Sequence, residues 1–222
     1  MIATDSAPAK HRQSFGRPKD PAKREGIIRA ATELFMRQGF TLTSVDAVAK
    51  LADVSKLTIY SHFDNKIELF KEVIQQRCDS LAGPDNFMNF AHLPAQTALL
   101  QLGGLLATLI YNSDSLHLQR TLYSEAIHHP EIVKIFYAAG PQRVKTAFGE
   151  LLAEWRRQGQ LAVPDIDRAT EQFFSLLKGE VYNKAMIFLA PNLSHAELDQ
   201  HVTATVTAFL AIYRCNTTAR AE

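Results

Sequence analysis

Apolar residues recur every three or four positions along most of this 222-residue chain, which is the spacing of amphipathic α-helices. The first clear stripe consists of Ile27, Ala31, Leu34 and Phe35. Shorter apolar faces, separated by polar turns, continue to about residue 80, whereas the chain after residue 93 carries longer stretches rich in Leu, Phe and Val. The pattern predicts an all-α fold with short helices in the first part and long helices in the second.

Capping signals divide residues 20–80 into four helices. Asp20 and Pro21 suit the N-cap and first position of the first helix, and Gly39 suits its left-handed end. The later helices begin after polar side chains at Thr43 or Ser44, at Ser55 and at Asp64. The second and third helices are short and are joined by a tight turn at Asp53. This arrangement is typical of a helix-turn-helix, which places its second helix in the major groove of DNA.

Residues 81–93 break the periodicity at Gly83 and Pro84 and are predicted to join two domains. Beyond them we expect five helices around one core, at 94–112, 113–129, 131–158 with a kink at Gly140–Pro141, 167–189, and after the capping box that starts at Ser194. In the first of these, Gly103–Gly104 predicts a bend or close packing. The last two helices are long and apolar on more than one face, and the connection between them is short. We therefore expect them to lie antiparallel.

Charge is distributed unevenly along the chain. The net charge is only +1, but residues 1–80 carry thirteen Lys and Arg against ten Asp and Glu, whereas residues 81–222 carry eleven against thirteen. Residues 1–19 lack apolar periodicity and contain Arg17 and Lys19, so we expect a flexible basic arm that lies along DNA phosphates or enters a minor groove. An unstructured tail without a partner is the alternative.

The bulk composition, 46% hydrophobic and 21% charged, is that of a soluble globular protein. No apolar run reaches the ~18 residues of a membrane helix, and the N-terminus lacks the apolar stretch of a signal peptide. Two cysteines, Cys78 and Cys215, do not make a disulfide framework, so we expect reduced thiols, with a redox pair as the alternative. A cytoplasmic protein without a membrane partner is the expectation.

The helix-turn-helix carries side chains suited to DNA. Candidates for backbone phosphates offer hydroxyl, imidazole or ammonium donors, some of them at helix N-termini: Thr43, Ser44, Tyr60, His62 and Lys66. Lys56 and Thr58 are candidates for base edges, because a lysine can reach guanine O6 and N7 and a threonine methyl can contact the thymine methyl. The alternative is that this stretch belongs to an ordinary helical core.

Residues 21–70 resemble the DNA-binding domain of the TetR/AcrR family of one-component repressors. The matching residues are Ala30–Ala31, Leu34–Phe35, Gly39–Phe40, Thr43, Val48–Ala49, Val54–Ser55, Ile59–Tyr60, His62–Phe63, Lys66 and Leu69–Phe70. The resemblance implies a DNA-facing role for Lys56, Thr58, Tyr60, His62 and Lys66. Asp53 stands where the family turn usually has Gly, and Leu57 stands where a small residue or Pro is common. Because Asp tolerates the left-handed conformation better than most residues, the turn is expected to form.

The resemblance is looser in the second half, where residues 129–131 and 176–180 are similar to an AcrR-type branch. In the family this half binds an effector that releases DNA, and its last two helices dimerise as a four-helix bundle. The predicted dimer interface consists of Phe173, Leu177, Val181, Phe188, Val202, Val206, Phe209 and Tyr213. The predicted ligand pocket consists of Tyr111, Tyr123, His128, Phe136, Trp155, Phe174, Tyr182 and Met186, for each of which plain core packing is the alternative.

These observations favour a homodimeric repressor that binds a palindromic double-stranded operator and is released by a small hydrophobic effector. We expect an arm at 1–19, a DNA-binding domain at 20–80 that includes the linking fourth helix, and a ligand-binding and dimerisation domain at 81–222. The alternative is an all-helical small-molecule or metal carrier, or an enzyme, with a vestigial helix-turn-helix. A further alternative is an activator or a nucleoid-type factor.

Signals for metal binding and catalysis are weak. Glu125 and His128 form a Glu-x-x-His, half of a di-iron bundle motif, but no second copy occurs in the chain. Neither Gly-x-Ser-x-Gly nor His-Glu-x-x-His occurs, and there is no phosphate-cradling glycine loop. No catalytic residue, metal site or cofactor is predicted.

Overall fold

A computed structural model describes residues 20–189 and 193–215 and shows an all-α protein, as predicted. Its helices are α1 (Pro21–Leu42), α2 (Val45–Leu51), α3 (Lys56–His62), α4 (Lys66–Ala82), α5 (Ala95–Tyr111), α6 (Ser113–Glu125), α7 (Pro130–Ala139), α8 (Pro141–Arg157), α9 (Ile166–Met186) and α10 (His195–Tyr213). A 3₁₀ helix, η1 (Pro84–Phe90), lies in the predicted junction between α4 and α5. One β-bridge, Leu161–Arg214, ties the loop after α8 to the end of α10.

Side-chain caps set the boundaries of the first four helices. The N-caps predicted for the first and third helices are confirmed at Asp20 and Ser55. The second helix begins after Ser44, whose Oγ accepts a main-chain N–H at 3.1 Å. The fourth helix begins after Asn65, not after Asp64, because the Asn65 amide oxygen accepts a main-chain N–H of the first turn at 3.0 Å. Short-range chemistry therefore determines where each helix starts.

The core around α1–α4 is completed by the second half of the chain. Helix α1 is broken at Gly39, where φ is +77° and α6 passes close by. A Cβ at Gly39 would overlap the methyl group of Thr121 on α6. Four buried side chains from α6 and α7 also belong to this core: Leu118, Leu122, Ile132 and Ala139. The first four helices therefore do not have a core of their own that ends at residue 80.

A second core lies among α5, α8, α9 and α10. Its centre is a group of aromatic rings, in which Phe173 stacks on Phe148 at 4.5 Å between centroids and meets Phe209 edge-on at 5.3 Å. Helix α5 runs unbroken through Gly103, where a Cβ would lie 2.9 Å from Cγ1 of Val202 on α10. Of the two outcomes expected at these glycines, the structure shows close helix packing and no bend.

Helices α9 and α10 lie antiparallel, as predicted. Hydrogen bonds join His201 to the oxygen of Leu177 and Thr205 to the oxygen of Leu176, and another joins the side chains of Tyr213 and Gln172. Residue numbers thus rise on one helix while they fall on the other. The capping box at Ser194, which starts α10, is also confirmed.

Two of the long helices predicted in the second half are interrupted at a glycine. The helix expected at 131–158 is two helices, because the backbone at Gly140 leaves helical geometry (φ −123°, ψ −83°) and Pro141 has no N–H with which to continue the ladder. Helix α9 contains an unpredicted break at Gly179, where φ is +53°. The oxygen atoms of Leu177 and Lys178 before this break accept hydrogen bonds from the Tyr111 hydroxyl at 3.1 and 2.6 Å.

Candidate nucleic-acid interface and internal cavity

Helices α2 and α3 form the predicted helix-turn-helix. Val48 and Ala49 of α2 and Ile59 of α3 are buried against α1 and α4. Asp53 in the turn adopts the left-handed conformation, with φ +51°, in the place where a glycine was expected from the resemblance. Ser55 then accepts the N–H of the third residue of α3 at 3.0 Å. The turn is formed despite its unusual residue.

The outer face of α3 consists of exposed side chains spaced by three and four residues: Lys56, Leu57, Tyr60 and Ser61. Leu57 is 79% exposed, which is unusual for a leucine and places an apolar side chain where it would meet bases. Thr58 and His62, predicted to face DNA, are half-buried at the edges of this face. Nδ1 of His62 is buried and has no hydrogen-bond partner in the part of the chain that the structure describes. Leu57 and Ser61 were missing from the predicted site, although their spacing relative to Lys56 and Tyr60 could have identified them.

Lys56 forms an ion pair with Asp46 of α2, with 3.0 Å between Nζ and Oδ2. The hydrogen bond and the charge of Asp46 raise the pKa of Lys56 above its ordinary value. Both side chains are solvent-exposed, so the pair can open when another anion approaches. A lysine that carries its full positive charge is suited to guanine or to phosphate.

Thr43 and Lys66 do not occupy the positions expected of phosphate ligands. Thr43 is 1% exposed, and its hydroxyl donates to the oxygen of Gly39 at 2.7 Å. Lys66 donates to the oxygens of Phe40 and Thr43 and lies over the Phe40 ring. Burial lowers the pKa of Lys66. Both side chains therefore make hydrogen bonds within the protein, and the predicted phosphate contacts of Thr43 and Lys66 stay predictions.

Ser44 remains a suitable phosphate contact, because it is exposed at the N-terminus of α2. Arg17 and Lys19 of the predicted arm lie outside the described residues.

A partly open cavity of about 470 Å³ lies between the first four helices and the second half. Its wall is predominantly apolar and is formed by Met36, Ile74, Arg77, Cys78, Leu106, Leu109, Ile110, Ser115, Leu118, Gln119, Leu122, Tyr123, Val133, Phe136, Tyr137, Pro141, Val144, Lys145, Glu171, Phe174, Ser175 and Lys178. Burial raises the pKa of the Cys78 thiol in this wall to about 11. The volume and the lining suit a small, largely apolar molecule.

Three of the eight predicted pocket residues, Tyr123, Phe136 and Phe174, line this cavity. The other five do not: Tyr111, Tyr182 and Trp155 are buried in the second core, His128 is exposed after α6, and Met186 is half-buried at the end of α9. The prediction missed the contributions of α1, α4 and α5, because a stripe of apolar side chains does not reveal where a core is incompletely filled.

Helix α6 packs against α1 and also lines the cavity. Leu118 and Leu122 are buried in the core that α6 shares with α1, and Leu118, Leu122 and Tyr123 line the cavity, as Met36 of α1 also does. On the side that faces α1, Glu125 accepts the N–H of Thr41 at 3.3 Å, and a ring nitrogen of His117 lies 3.0 Å from the oxygen of Arg37. The same helix therefore contacts both the cavity and the end of α1.

Most of the predicted dimer-interface residues are inside the protomer. Phe173, Leu177, Val202, Val206, Phe209 and Tyr213 are at most 6% exposed and belong to the second core, so they cannot form a surface between two copies. Val181 is half-buried and Phe188 is 75% exposed. The outward face of α10 consists instead of Asp199, Gln200, Thr203, Ala204, Thr207, Ala208 and Ala211, which line a shallow groove.

Within residues 20–189 and 193–215, no group of three or more His, Cys, Asp or Glu side chains is arranged to hold a metal ion. Glu125 of the Glu-x-x-His is hydrogen-bonded to α1, as described above. None of the helices in these same ranges combines the length and the apolar character needed to cross a membrane.

Two family models match the chain. Residues 27–73 match the model described as "Bacterial regulatory proteins, tetR family", and residues 97–215 match "AefR-like transcriptional repressor, C-terminal domain". The first of these ranges contains α2 and α3, and the second contains α6–α10 and all but the first two residues of α5. The two matches therefore cover the helix-turn-helix and the second half separately.

Similar proteins include the transcriptional activator FasR of Mycolicibacterium smegmatis, 38% identical over 64 residues, which are 29% of each chain. The curated relatives FasR and two regulators of Bacillus subtilis match this chain over only about a quarter to a third of their own length.

Solved structures match over nearly the whole chain. The flavonoid-responsive regulator FrrA is 29% identical with a TM-score of 0.65, over 90% of this chain and 98% of FrrA. A TetR family transcriptional regulator from Pseudomonas syringae is also 29% identical with a TM-score of 0.68, over 88% of this chain and 99% of the other. Since the second family model alone spans more than half of the sequence, the chain belongs to the TetR family of bacterial transcriptional regulators.

Proposed function

We propose that the protein is a dimeric repressor that binds a palindromic operator through α3 and leaves it when a small, predominantly apolar effector occupies the cavity. The observation that carries the proposal is the composition of the cavity wall. Met36 of α1 and Ile74, Arg77 and Cys78 of α4 line the same space as the helices of the second half. A molecule that fills this space contacts both parts and can change how they sit on each other.

The small number of side chains on the outer face of α3 supports a two-fold dimer. The outward face of α3 offers few side chains to bases, and a two-fold dimer doubles that number by presenting two such helices to two half-sites. We assign the interface to the groove on α10, where Ala204, Ala208 and Ala211 are exposed and small enough to let a second helix approach closely. A regulator of this kind acts where the chromosome is, in the bacterial cytoplasm.

The direction of regulation rests on the comparison with AefR-like repressors. FasR, which matches the first part of the chain, is described as an activator, so activation is the second candidate. A reporter driven by the protein's own upstream region distinguishes the two. Deletion of the regulator should raise expression from that region if the protein is a repressor and lower it if the protein is an activator.

The DNA-binding part of the proposal is tested by gel shift or fluorescence anisotropy on the same upstream region. Leu57→Ala should leave the melting temperature unchanged, because Leu57 is 79% exposed, and should reduce discrimination between operator and random DNA by about 1 kcal/mol. If the variant and the parent discriminate equally between operator and random DNA, the proposed role of Leu57 on α3 in base recognition is wrong. Effector release is tested by adding apolar compounds, beginning with flavonoids because FrrA responds to them.

A further inference from the structure

Three of the four charged side chains in the cavity wall are cationic. Lys145 of α8, Lys178 of α9 and Arg77 of α4 all line the cavity. Glu171 is the only carboxylate in the lining formed by the described residues. A predominantly apolar cavity with three cationic side chains and one anionic side chain is chemically suited to an acceptor-rich ligand.

The two lysines lack carboxylate partners. Among the described residues, no carboxylate oxygen lies within 4 Å of Nζ of Lys145 or Lys178, although eight ion pairs of other Lys or Arg side chains occur there. Nζ of Lys145 instead lies 3.4 Å from the Tyr137 hydroxyl and 5.9 Å from the centre of the Phe174 ring. Nζ of Lys178 lies 4.8 Å from the centre of the Tyr182 ring.

The two lysines are also close enough to influence each other. Both are half-buried. Burial lowers the pKa of Lys178, and the positive charge of Lys145 lowers it further. Two ammonium groups that repel each other at the edge of an apolar space are stabilised when an anion is placed between them.

Arg77 offers a further donor on a different wall. Its Nη2 atom donates hydrogen bonds to Oδ1 of Asn112 at 2.7 Å and to Oδ2 of Asp114 at 3.5 Å. Its Nε is buried and has no hydrogen-bond partner among the described residues. A buried N–H without a partner is costly, and an oxygen atom on a ligand would satisfy it.

From this arrangement we propose that the effector is an amphipathic anion, with an apolar body in the cavity and a carboxylate or phenolate group held between Lys145 and Lys178. The inference rests on the proposed function only in taking the cavity as the effector site. It adds the sign of the effector's charge and the residues that recognise that charge.

The test uses pairs of probes with the same shape and different charge. Biphenyl-4-carboxylate and biphenyl-4-carboxamide are rigid, and decanoate and decanamide are flexible; in each pair only the acid is anionic at neutral pH. Binding to the full chain is measured by calorimetry. In at least one pair we expect the acid to bind about tenfold more tightly than its amide. Charge-assisted hydrogen bonds to two lysines should lower the dissociation constant by about that factor or more.

Substitutions identify the source of that preference. Lys145→Met and Lys178→Met should each reduce acid binding about tenfold and leave amide binding unchanged, which also shows that the cavity is intact. Lys178→Arg should retain the preference. Lys134→Met is the matched control, because Lys134 is exposed on α7 and does not line the cavity, and it should bind both probes as the parent does.

The outcomes separate the inference from the proposed function. Amides that bind as tightly as acids, acids that bind the Met variants as tightly as the parent, or no binding by any of the four probes would each overturn the inference. An acid that binds through the lysines but does not release operator DNA in an anisotropy assay would support the inference and contradict effector-driven release.

Discussion

The ammonium group of Lys66 lies 2.9 Å from the main-chain oxygen of Thr43, and this contact ties the start of α4 to the residue before the N-cap of α2. Lys66 also donates to the oxygen of Phe40 at 2.9 Å and lies 4.1 Å from the centre of its ring. Because these acceptors are in the last residues of α1 and just beyond it, the lysine compensates the partial negative charge of a helix end.

Lys66→Met should therefore act on stability. It removes two hydrogen bonds from partly buried acceptors, and we expect the free energy of unfolding to fall by about 1–3 kcal/mol. For a domain of this size each kcal/mol corresponds to roughly 2–4 °C in the melting temperature, which circular dichroism measures. Lys50→Met, on the exposed side of α2, is the control and should melt with the parent. A Lys66→Met protein with unchanged melting and a salt dependence of DNA binding shallower by about one would instead make Lys66 a phosphate ligand.

The ion pair of Lys56 and Asp46 predicts opposite effects for the two partners. Lys56→Met should weaken operator binding by about 1–3 kcal/mol, because it removes a donor from the outer face of α3. Asp46→Asn releases Lys56 and removes a negative charge from the surface that approaches phosphates, so it should strengthen binding by about threefold to tenfold at low salt. Anisotropy titrations with operator DNA measure both. If the two substitutions weaken binding equally, the ion pair itself orients the recognition helix.

Gly39 should not tolerate a side chain. Gly39→Ala places a Cβ at φ +77° and against the methyl of Thr121, and we expect a loss of about 1–3 kcal/mol in the free energy of unfolding. Adding Thr121→Ala removes the clash but not the unfavourable backbone angle, so it should restore only part of the loss. Denaturant unfolding of the two single variants and the double variant gives the coupling energy. A coupling near zero would show that α1 and α6 separate without cost at this point.

A charged side chain on the outer face of α10 should prevent dimerisation. Ala208→Arg introduces a long cation into the proposed contact between helices, and we expect the protein to elute as a monomer in size-exclusion chromatography with light scattering. Operator affinity should fall sharply because one recognition helix remains per molecule. Ala138→Arg, exposed on α7, is the control and should stay dimeric. If the Ala208→Arg protein is still dimeric, the assignment of the dimer interface to this face of α10 is wrong.

Local features of the fold were predictable, because their causes are local. Asp20, Ser55 and Ser194 satisfy the N–H groups of the turn that follows each of them, and apolar spacing reveals which side of a helix faces inward. Capping residues and apolar spacing predicted the helix-turn-helix and the resemblance supported it. Asp53 shows that one unfavourable residue does not prevent its turn.

Features that depend on distant contacts were not predictable in the same way. The sequence pattern fits Phe173 and Phe209 equally well as interface residues and as core residues, because α9 and α10 are apolar on more than one face. The packing of α5 and α8 against them shows that both residues belong to the core. The sequence likewise does not reveal that the oxygens of Phe40 and Thr43 lie beside Lys66 and accept hydrogen bonds from it. The cavity is a volume that side chains leave empty, and the spacing of residues along the sequence does not predict where such a volume lies.

Because α6 contacts both the cavity and α1, the structure predicts where regulatory mutations will fall. Mutants that ignore the inducer and mutants that no longer repress are usually expected in separate parts of such a gene. Here both classes of mutation should be recovered among the thirteen residues of α6, with the two classes on opposite faces of the helix. Changes at Gln119 or Tyr123 would produce non-inducible strains, and changes at His117, Thr121 or Glu125 would produce constitutive ones.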